Sequence, residues 1–386
     1  MVQHRPGSHS HGHFAQATLL SLLASAGLVA QSDLLQIPPA AVHYRAEAWS
    51  ATSGLPQNTV PAMVQTRLGP LWIATYGGLC RFDGEQFQVF DTVTGPGLRT
   101  NRFTSLHEGP DGTLWIGTER EGLARYRDGT FAHEEGLPRE TIQTIATDAS
   151  GRLLVVAAGA LYRAEGSSFR RLHPDHLHNV LRLLRRGSGE LLAATATGLW
   201  RIEEDRAQLL AAGRAQCLAE VGERLFVGTH HGLYEWSNGQ LVPWQSTPDL
   251  AQPVLTLCAA SDQALWVGTD SLAIRLDAVA LQQHSPVLPD PAQLSLLRSP
   301  PSLQPTRSFC EDRNGGMWVG HTQRGVTRFR KAEIRHHATA SGLPSRNLTS
   351  VLDDGNGNVF VGTSLGLMRS SAGRFAPVPG CTELGG

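Results

Sequence analysis

A five-residue motif that recurs eight times constrains this sequence more than any other feature. In its clearest copies an apolar residue, an aromatic residue and a β-branched residue are followed by Gly and Thr. The copies begin at Leu71, Leu114, Leu153, Leu191, Leu225, Leu265, Met317 and Val359, on average about 41 residues apart. A period of this length indicates a repeat architecture, in which each unit buries its apolar face by stacking on its neighbours.

The second repeat shows the plan of a unit most clearly. Residues 103–108 alternate apolar and polar side chains as a strand does, and Pro-Asp-Gly at 110–112 turns the chain into the motif strand. Two further strands follow, separated by the hairpin signal Asp128-Gly129. Four short antiparallel strands per unit, here called a to d, are typical of a propeller blade. We therefore predict an all-β fold, a β-propeller of four-stranded antiparallel blades.

Two kinds of segment carry a resemblance to a known family. Gly-Leu-Pro occurs at 54–56, 136–138 and 342–344, each time in a unit that also holds a Trp-Ile-Gly-Thr-like strand, and residues 44–84 look like the opening of a first propeller. In these residues the chain resembles the two-component regulator propellers, the extracytoplasmic ligand-binding sensor propellers of bacterial hybrid histidine kinases and related sensors. The resemblance covers about residues 44–378 and implies paired seven-bladed rings outside the membrane.

Full members of that family usually continue through a second propeller, a membrane helix and a cytoplasmic output domain. These residues contain no kinase or cyclase segment, so the resemblance implies a sensor module that lacks its membrane helix and output domain in this chain. We therefore expect a non-catalytic protein, which would act with a second propeller or a membrane sensor kinase as its partner.

The sequence alone does not determine the number of blades. Residues 341–344 repeat the Ser-Gly-Leu-Pro of residues 53–56, which favours seven blades plus one extra repeat that begins a second ring. The alternative is an eight-bladed ring closed by the strand at 44–50. Residues 277–305 contain six prolines and are predicted to be an insertion within the propeller, and residues 379–386 a C-terminal tail.

The composition and the N-terminal residues limit where in the cell the protein is expected and which partners it is expected to bind. Thirty-three Lys and Arg balance 34 Asp and Glu, and no basic run is present, so nucleic acid is not an expected partner. Residues 1–31 join a short polar start to an apolar run with small residues at 24, 26 and 30, which predicts a signal peptide. We expect a periplasmic or secreted protein after its removal.

The motif also predicts where its aromatic and sulfur-bearing side chains lie. The motif tryptophans fall in mid-strand between apolar neighbours and are expected in the core. Cys217, Cys258 and Cys310 precede their motifs by nearly the same distance, which predicts one shared slot on strand a and free thiols throughout.

Candidate ligand-binding residues lie where the repeats differ from each other. The a–b and c–d turns are tight, whereas the b–c and d–a connections vary and should share one face of the ring, here called the loop face. The predicted ligand-binding residues are Tyr76, Glu119, Arg120, His230, His231, Asp270, Gln323 and Arg324 in b–c loops, and Asn58, Asn101 and Asn347 in d–a loops, with Arg99, Arg139 and Arg346 nearby. Mixed amides, charges and an aromatic ring suit a carbohydrate fragment or another small polar ligand.

Two other functions remain open from the sequence. The loop face could bind protein, which would make the chain a secreted interaction scaffold. Less favoured is a propeller lyase or hydrolase in which His230 or His231 works with Glu119 as base and acid. No cofactor and no metal site are expected, because residues 354–365 begin like a calcium loop but lack its central Gly and final Glu.

Overall fold

A computed structural model describes residues 44–67, 69–244, 250–283, 305–331, 342–344, 347–355, 358–371 and 374–381. The predicted signal peptide, Arg346, most of the proline-rich insertion and the last five residues lie outside this set. The chain forms two compact units, one spanning 43–332 and the other combining 1–42 with 333–386. The two are described separately below.

The larger unit holds seven antiparallel sheets, numbered here in chain order. Sheet 1 comprises β2 (Ala62–Gln65), β3 (Leu71–Ala74), β4 (Leu79–Phe82) and β5 (Phe87–Phe90). Sheet 2 comprises β6 (Phe103–Glu108), β7 (Leu114–Thr118), β8 (Leu123–Arg127) and β9 (Thr130–His133). Sheet 3 comprises β10 (Ile142–Thr147), β11 (Leu153–Ala157), β12 (Ala160–Glu165) and β13 (Ser168–Arg171). Sheet 4 comprises β14 (Val180–Arg185), β15 (Leu191–Thr195), β16 (Gly198–Ile202) and β17 (Ala207–Ala212).

The remaining sheets of this unit follow the same order with two exceptions. Sheet 5 comprises β18 (Ala215–Val221), β19 (Arg224–Thr229), β20 (Gly232–Ser237) and β21 (Gln240–Pro243). Sheet 6 comprises β22 (Val254–Ala259), β23 (Leu265–Thr269) and β24 (Ala273–Leu276), followed by the short helix α1 (Ala278–Gln283). Sheet 7 comprises β25 (Thr306–Glu311), β26 (Met317–His321), β27 (Val326–Lys331) and, as its fourth strand, β1 (Tyr44–Trp49).

The seven sheets form a closed ring around their first strands. Strand β2 contacts β6, β6 contacts β10, and the succession continues through β14, β18, β22 and β25 back to β2. We call these seven first strands the inner strands. The circuit closes without an eighth sheet, which agrees with seven blades plus an extra repeat.

The ring is closed by its N-terminal strand. Strand β1 pairs antiparallel with β27 over its full length, from Tyr44 opposite Lys331 to Trp49 opposite Val326. The indole of Trp49 stacks on Trp318 of the same sheet at 5.0 Å and lies 5.7 Å from the ring of Phe82 in sheet 1. In the sequence-based prediction, residues 44–50 close the ring only in the eight-bladed alternative; here β1 closes a ring of seven sheets, as the outer strand of sheet 7.

The Gly and Thr of the motif have separate structural reasons. A Cβ on Gly228 would lie 2.6 Å from the side chain of Val254, and one on Gly117 would lie 2.8 Å from Ile142, both at the start of the next inner strand. The Thr118 hydroxyl donates to the carbonyl of Gly122 at 2.8 Å and accepts from the amide of Glu121 at 2.9 Å. Glycine thus allows neighbouring sheets to approach, and threonine fixes the b–c turn.

A repeated hydrogen bond joins neighbouring sheets at the end that carries the a–b turns. In four of the seven junctions, the backbone amide two residues after one inner strand donates to a Glu or Gln at the end of the next inner strand. The donor and acceptor pairs are Arg67 and Glu108, Gly187 and Glu220, Ser261 and Glu311, and Arg313 and Gln65. We call these contacts the junction clamps.

Sheet 6 departs from the four-stranded plan. Its described residues form three strands, and helix α1 follows β24 where a d strand would begin. Leu281 is buried, and its carbonyl accepts a hydrogen bond from Arg224 of sheet 5 at 2.7 Å. The beginning of the predicted insertion is therefore packed into the ring as a helical turn.

The smaller unit contains one described sheet. Sheet 8 comprises β28 (Leu348–Asp353), β29 (Val359–Thr363), β30 (Gly366–Ser371) and β31 (Arg374–Pro377). Leu348 and Val351 are exposed, although Phe103 and Ile145 at corresponding positions of the ring are buried. Residues 379–381 of the predicted tail continue from this sheet, with Cys381 buried against Phe360 and Leu367.

The core confirms the assignment of three of the four tryptophans and corrects one cysteine. Trp72, Trp266 and Trp318 are buried, whereas the fourth predicted core tryptophan, Trp115, is only partly buried against the core of sheet 3; all five cysteines are free. Cys258 and Cys310 each lie opposite the motif tryptophan, as predicted, but Cys217 lies opposite Gly228. The single-slot prediction was wrong for Cys217, because in sheet 5 the residue opposite the motif aromatic Phe226 is Ala219, seven positions before it and not eight as in sheets 6 and 7.

Candidate functional site

The predicted ligand-binding residues of the ring occupy the predicted connections on six of its sheets. The connections between the second and third strands of sheets 1, 2, 5, 6 and 7 hold, in that order, Tyr76, Glu119 with Arg120, His230 with His231, Asp270, and Gln323 with Arg324. Asn58 and Asn101 precede β2 and β6, and Arg139 precedes β10. Asn347 precedes β28 in the separate unit.

One group of these residues is brought together at the junction of sheets 1 and 2. The guanidinium of Arg102 lies 4.4 Å from the centre of the Tyr76 ring, and its Nε and Nη2 donate to the carboxylate of Glu119, the second at 3.1 Å. This hydrogen bonding from Arg102 holds the pKa of Glu119 below its usual range. The cluster presents an aromatic ring and a fixed ion pair, and Arg102 was not among the predicted residues.

Two of the predicted asparagines bind backbone of their own loops. The Asn58 side-chain oxygen accepts from the amide of Ala51 at 2.7 Å, and that of Asn101 accepts from the amide of Thr92 at 2.8 Å. Arg99 likewise pairs with Glu135 at 3.2 Å. These contacts shape the loops and leave the remaining side-chain atoms for other partners.

The suggested catalytic pair is not assembled. His230 and His231 are exposed neighbours whose rings lie edge to face at 5.8 Å, on the turn of sheet 5. Glu119 lies on sheet 2, and sheets 3 and 4 separate the two in the ring order. Arg120 and Asp270 are also exposed on their turns, so the structure does not unite the predicted residues into one pocket.

A buried histidine replaces the motif threonine in sheet 7. His321 Nε2 shares a hydrogen bond of 3.0 Å with the Thr327 hydroxyl, whereas Nδ1 is buried and has no hydrogen-bond partner in the described part of the chain. Burial, and then the charge of Arg324, lower the pKa of His321 to about 4. This imidazole is therefore neutral at physiological pH.

A polar cavity lies on the axis of the ring. Its volume is about 150 Å³, and its walls come from the early residues of inner strands in six of the seven sheets. The lining residues are Pro61, Ala62, Met63, Thr104, Ser105, Leu106, Gln143, Thr144, Ile145, Arg182, Thr256, Arg307, Ser308 and Phe309. None of these residues is Asp or Glu, so the cavity carries two guanidinium groups and no carboxylate.

The position of Arg182 is exceptional within the repeat. Arg182 is the first residue after the register shift of its inner strand. The residues at this position in sheets 2, 3, 5, 6 and 7 are Ser105, Thr144, Cys217, Thr256 and Ser308. Only sheet 4 of these six places a long charged side chain there. Sequence reasoning missed both Arg182 and Arg307, because neither lies in a connecting loop.

A larger groove opens at the opposite end, between sheets 3 and 4. It has a volume of about 470 Å³ and is lined mainly by the a–b turns and third strands of these sheets. Buried Arg163 donates to Glu204 at 2.7 Å and to Glu165 at 3.0 Å. The hydrogen bond from Arg163 lowers the pKa of Glu204 to about 2. The charges in this groove are thus paired with each other, unlike those of the axial cavity.

The ring of radial four-stranded sheets defines the chain as a β-propeller, and the comparisons with known proteins agree. Residues 97–120 and 300–323 match the family model described as "Two component regulator propeller". Two segments of the chain therefore match the two-component regulator propeller model, in agreement with the sequence resemblance.

Solved structures from sensor systems share the fold. The extracellular domain of a hybrid two-component system from B. thetaiotaomicron is 19% identical, with a TM-score of 0.67, over 87% of this chain and 49% of that domain. The extracellular domain of a one-component system from the same organism is 17% identical, with a TM-score of 0.61, over 89% of this chain and 47% of that domain. The chain thus spans about half the length of these domains.

An enzyme with the same fold is also similar. Virginiamycin B lyase from Staphylococcus aureus, solved with quinupristin, is 10% identical, with a TM-score of 0.59, over 74% of this chain and 99% of the lyase. No curated protein sequence matches the chain. Among the described residues, no helix has the length and apolar character needed to cross a membrane.

Proposed function

We propose that this chain is the extracytoplasmic, non-catalytic ligand-binding propeller of a two-component-type signalling system. The observation that carries the proposal is that each repeat combines a turn of constant shape with exposed side chains that vary. The motif threonine holds the b–c turn in a constant shape, while the exposed side chains on that turn differ from sheet to sheet. Variable side chains on a rigid scaffold are typical of binding surfaces.

The chemistry of the loop face favours a small polar ligand such as a carbohydrate fragment. Tyr76 offers an aromatic surface, Arg102 and Glu119 offer a fixed donor and acceptor pair, and Arg120 and His231 are exposed on turns of the same face. Catalysis is less well supported, since Glu119 is held by Arg102 and lies on a different sheet from both histidines.

Signalling requires a partner that responds to the occupied propeller. We propose a second propeller or a membrane sensor kinase in this role, on the periplasmic or outer side of the membrane. A ligand shifts such a partner between states only through different affinities for the two states. The similarity to extracellular sensor domains supports this location and this class of partner.

Isothermal titration calorimetry of the mature chain against a panel of oligosaccharides tests the proposal. We expect at least one binder, and a loss of about tenfold in affinity in Arg120→Ala or His231→Ala, which corresponds to about 1.4 kcal/mol. Arg127→Ala is the matched control, because Arg127 is an exposed arginine beside a c–d turn at the opposite end of the ring. A panel without any binder, or binding that none of the loop-face variants changes, would refute the proposed site.

A further inference from the structure

The axial cavity described above lies at the loop-face end of the ring, but none of its lining residues is among the predicted loop residues. It lies where the inner strands begin, and its volume of about 150 Å³ is close to that of cavities that hold a single ring of about six heavy atoms. It is therefore too small for a disaccharide. Any occupant must be a small molecule or ion that fits between side chains of the inner strands.

Arg182 brings an unneutralised positive charge to this cavity. Its Nη1 donates to the carbonyls of Leu181 at 2.9 Å and Gln143 at 3.2 Å, and the described residues provide no hydrogen-bond partner for Nε or Nη2. Arg182 is partly buried, and this desolvation, together with the charge of nearby Arg307, lowers its pKa. Carbonyl oxygens compensate such a charge less than a carboxylate does, so the guanidinium lacks a full counter-charge.

Arg307 adds a second guanidinium to the same wall. It is the residue at the register shift of β25, and such bulges redirect a side chain relative to the regular strand. Its Nε donates to the Thr322 hydroxyl at 3.1 Å, so the group is held at the cavity. The two arginines repel each other, and no carboxylate among the lining residues relieves that repulsion.

We propose that the axial cavity binds a small oxyanion between Arg182 and Arg307. Guanidinium groups form paired hydrogen bonds with carboxylate and with tetrahedral oxyanions, and the hydroxyls of Thr144 and Thr256 line the same space. Small dicarboxylates and sulfate or phosphate share this chemistry.

Thermal unfolding and calorimetry of the mature chain test the proposal. Sodium sulfate, phosphate and succinate are each titrated against sodium chloride at equal ionic strength. We expect saturable binding of at least one oxyanion to the wild type, and a loss of about tenfold or more in affinity in Arg182→Thr and in Arg307→Thr. The anion that binds with the highest affinity shows whether the site prefers a tetrahedral oxyanion or a dicarboxylate.

The replacements follow the repeat itself and have a matched control. Threonine occupies the position of Arg182 in sheets 3 and 6, and the position of Arg307 in sheet 2, so both variants retain a side chain that the fold accepts. Arg185→Thr removes the same charge from the exposed end of β14 and should bind the anion normally.

A second readout separates an anion site from a structural role. Without an oxyanion, Arg182→Thr should unfold at a temperature no lower than that of the wild type, because the repulsion between Arg182 and Arg307 is removed. No saturable response of the wild type, or equal responses of the wild type and Arg182→Thr, would overturn the proposal. Neither result bears on oligosaccharide binding at the loop face, so the two proposals fail separately.

Discussion

At the scale of single residues, the side chains that break the repeat are the informative ones. Six sheets carry Thr at the end of the motif, where its hydroxyl fixes the b–c turn. Sheet 7 carries His321, which keeps only the backbone bond of this turn, from its amide to the Gly325 carbonyl at 3.0 Å. The imidazole is buried, and its Nδ1 has no hydrogen-bond partner among the described residues, which couples the stability of sheet 7 to pH.

The sign of this coupling follows from the lowered pKa. Between the ordinary value of 6.5 and the folded value of about 4, the unfolded chain takes up a proton at His321 that the folded chain does not. Stability from this group is therefore fully present above the ordinary value and is lost as pH falls through this window. A shift of this size corresponds to about 3 kcal/mol at most.

We predict that His321→Thr makes the free energy of unfolding less sensitive to acid. Between about pH 7 and pH 4.5, the variant should lose about 2 kcal/mol less than the wild type, because a proton-binding difference is removed. Urea denaturation at several pH values measures this change. His231→Thr is the control, since His231 is exposed on the equivalent turn of sheet 5. Parallel pH profiles of wild type and His321→Thr would contradict the argument.

At the scale of elements, neighbouring sheets are held by close packing and by the junction clamps. The clamp between sheets 4 and 5 includes a charged donor, because the Glu220 carboxylate accepts from the amide of Gly187 at 2.6 Å and from Arg186 Nε at 2.7 Å. Glu220 is largely buried, and the loss of its carboxylate removes the protein acceptor of both donors.

We predict that Glu220→Ala lowers the free energy of unfolding by about 2 kcal/mol, in the range expected for a charged hydrogen-bond partner. Glu203→Ala provides the control, because Glu203 pairs with exposed Arg206 within one hairpin and should cost less than about 0.5 kcal/mol. Chemical denaturation of the two variants gives the comparison. Equal losses would mean that the clamp does not hold the sheets together.

The same scale shows why the strands were predictable and the cavity was not. The motif and the Asx-Gly turns mark every strand of sheet 2, and the structure confirms all four. However, the inner strands of sheets 2 to 7 carry a register shift near their start, which reverses the alternation of side chains beyond it. Spacing alone therefore gave no sign that Arg182 faces the axis. Cys217 was assigned to the wrong slot because the a–b connection of sheet 5 is shorter than those of sheets 6 and 7.

At the scale of the whole molecule, the larger unit is a ring that depends on its first strand. Trp49 of β1 contacts Trp318 of sheet 7 and Phe82 of sheet 1, so one side chain joins the two sheets where the ring closes. In the sequence-based prediction, residues 44–50 close the ring only in the eight-bladed alternative, whereas they close a ring of seven sheets. The sequence could not decide between seven and eight sheets, because sheet 8 carries the same motif and differs in the exposure of Leu348 and Val351.

We predict that Trp49→Ala weakens the closure of the ring while Trp49→Phe largely preserves it. Truncation should lower the free energy of unfolding by about 3 kcal/mol, at the lower end for a tryptophan because the indole is only half-buried. Hydrogen exchange should accelerate in β27, the strand that β1 covers. If exchange in β27 is the same in both variants, Trp49 does not secure the closing strand.

The pairing of β1 with β27 also determines how long β1 waits for its partner strand during synthesis of the chain. Residues 47 and 330 are partners in the finished protein although 283 positions separate them along the chain. A ribosome that adds roughly 5–20 residues per second needs on the order of 15–60 s to deliver β27 after β1. Throughout that interval the nascent β1 has no native partner, so cells must keep it from pairing with the wrong strand until the last sheet of the circle has been made.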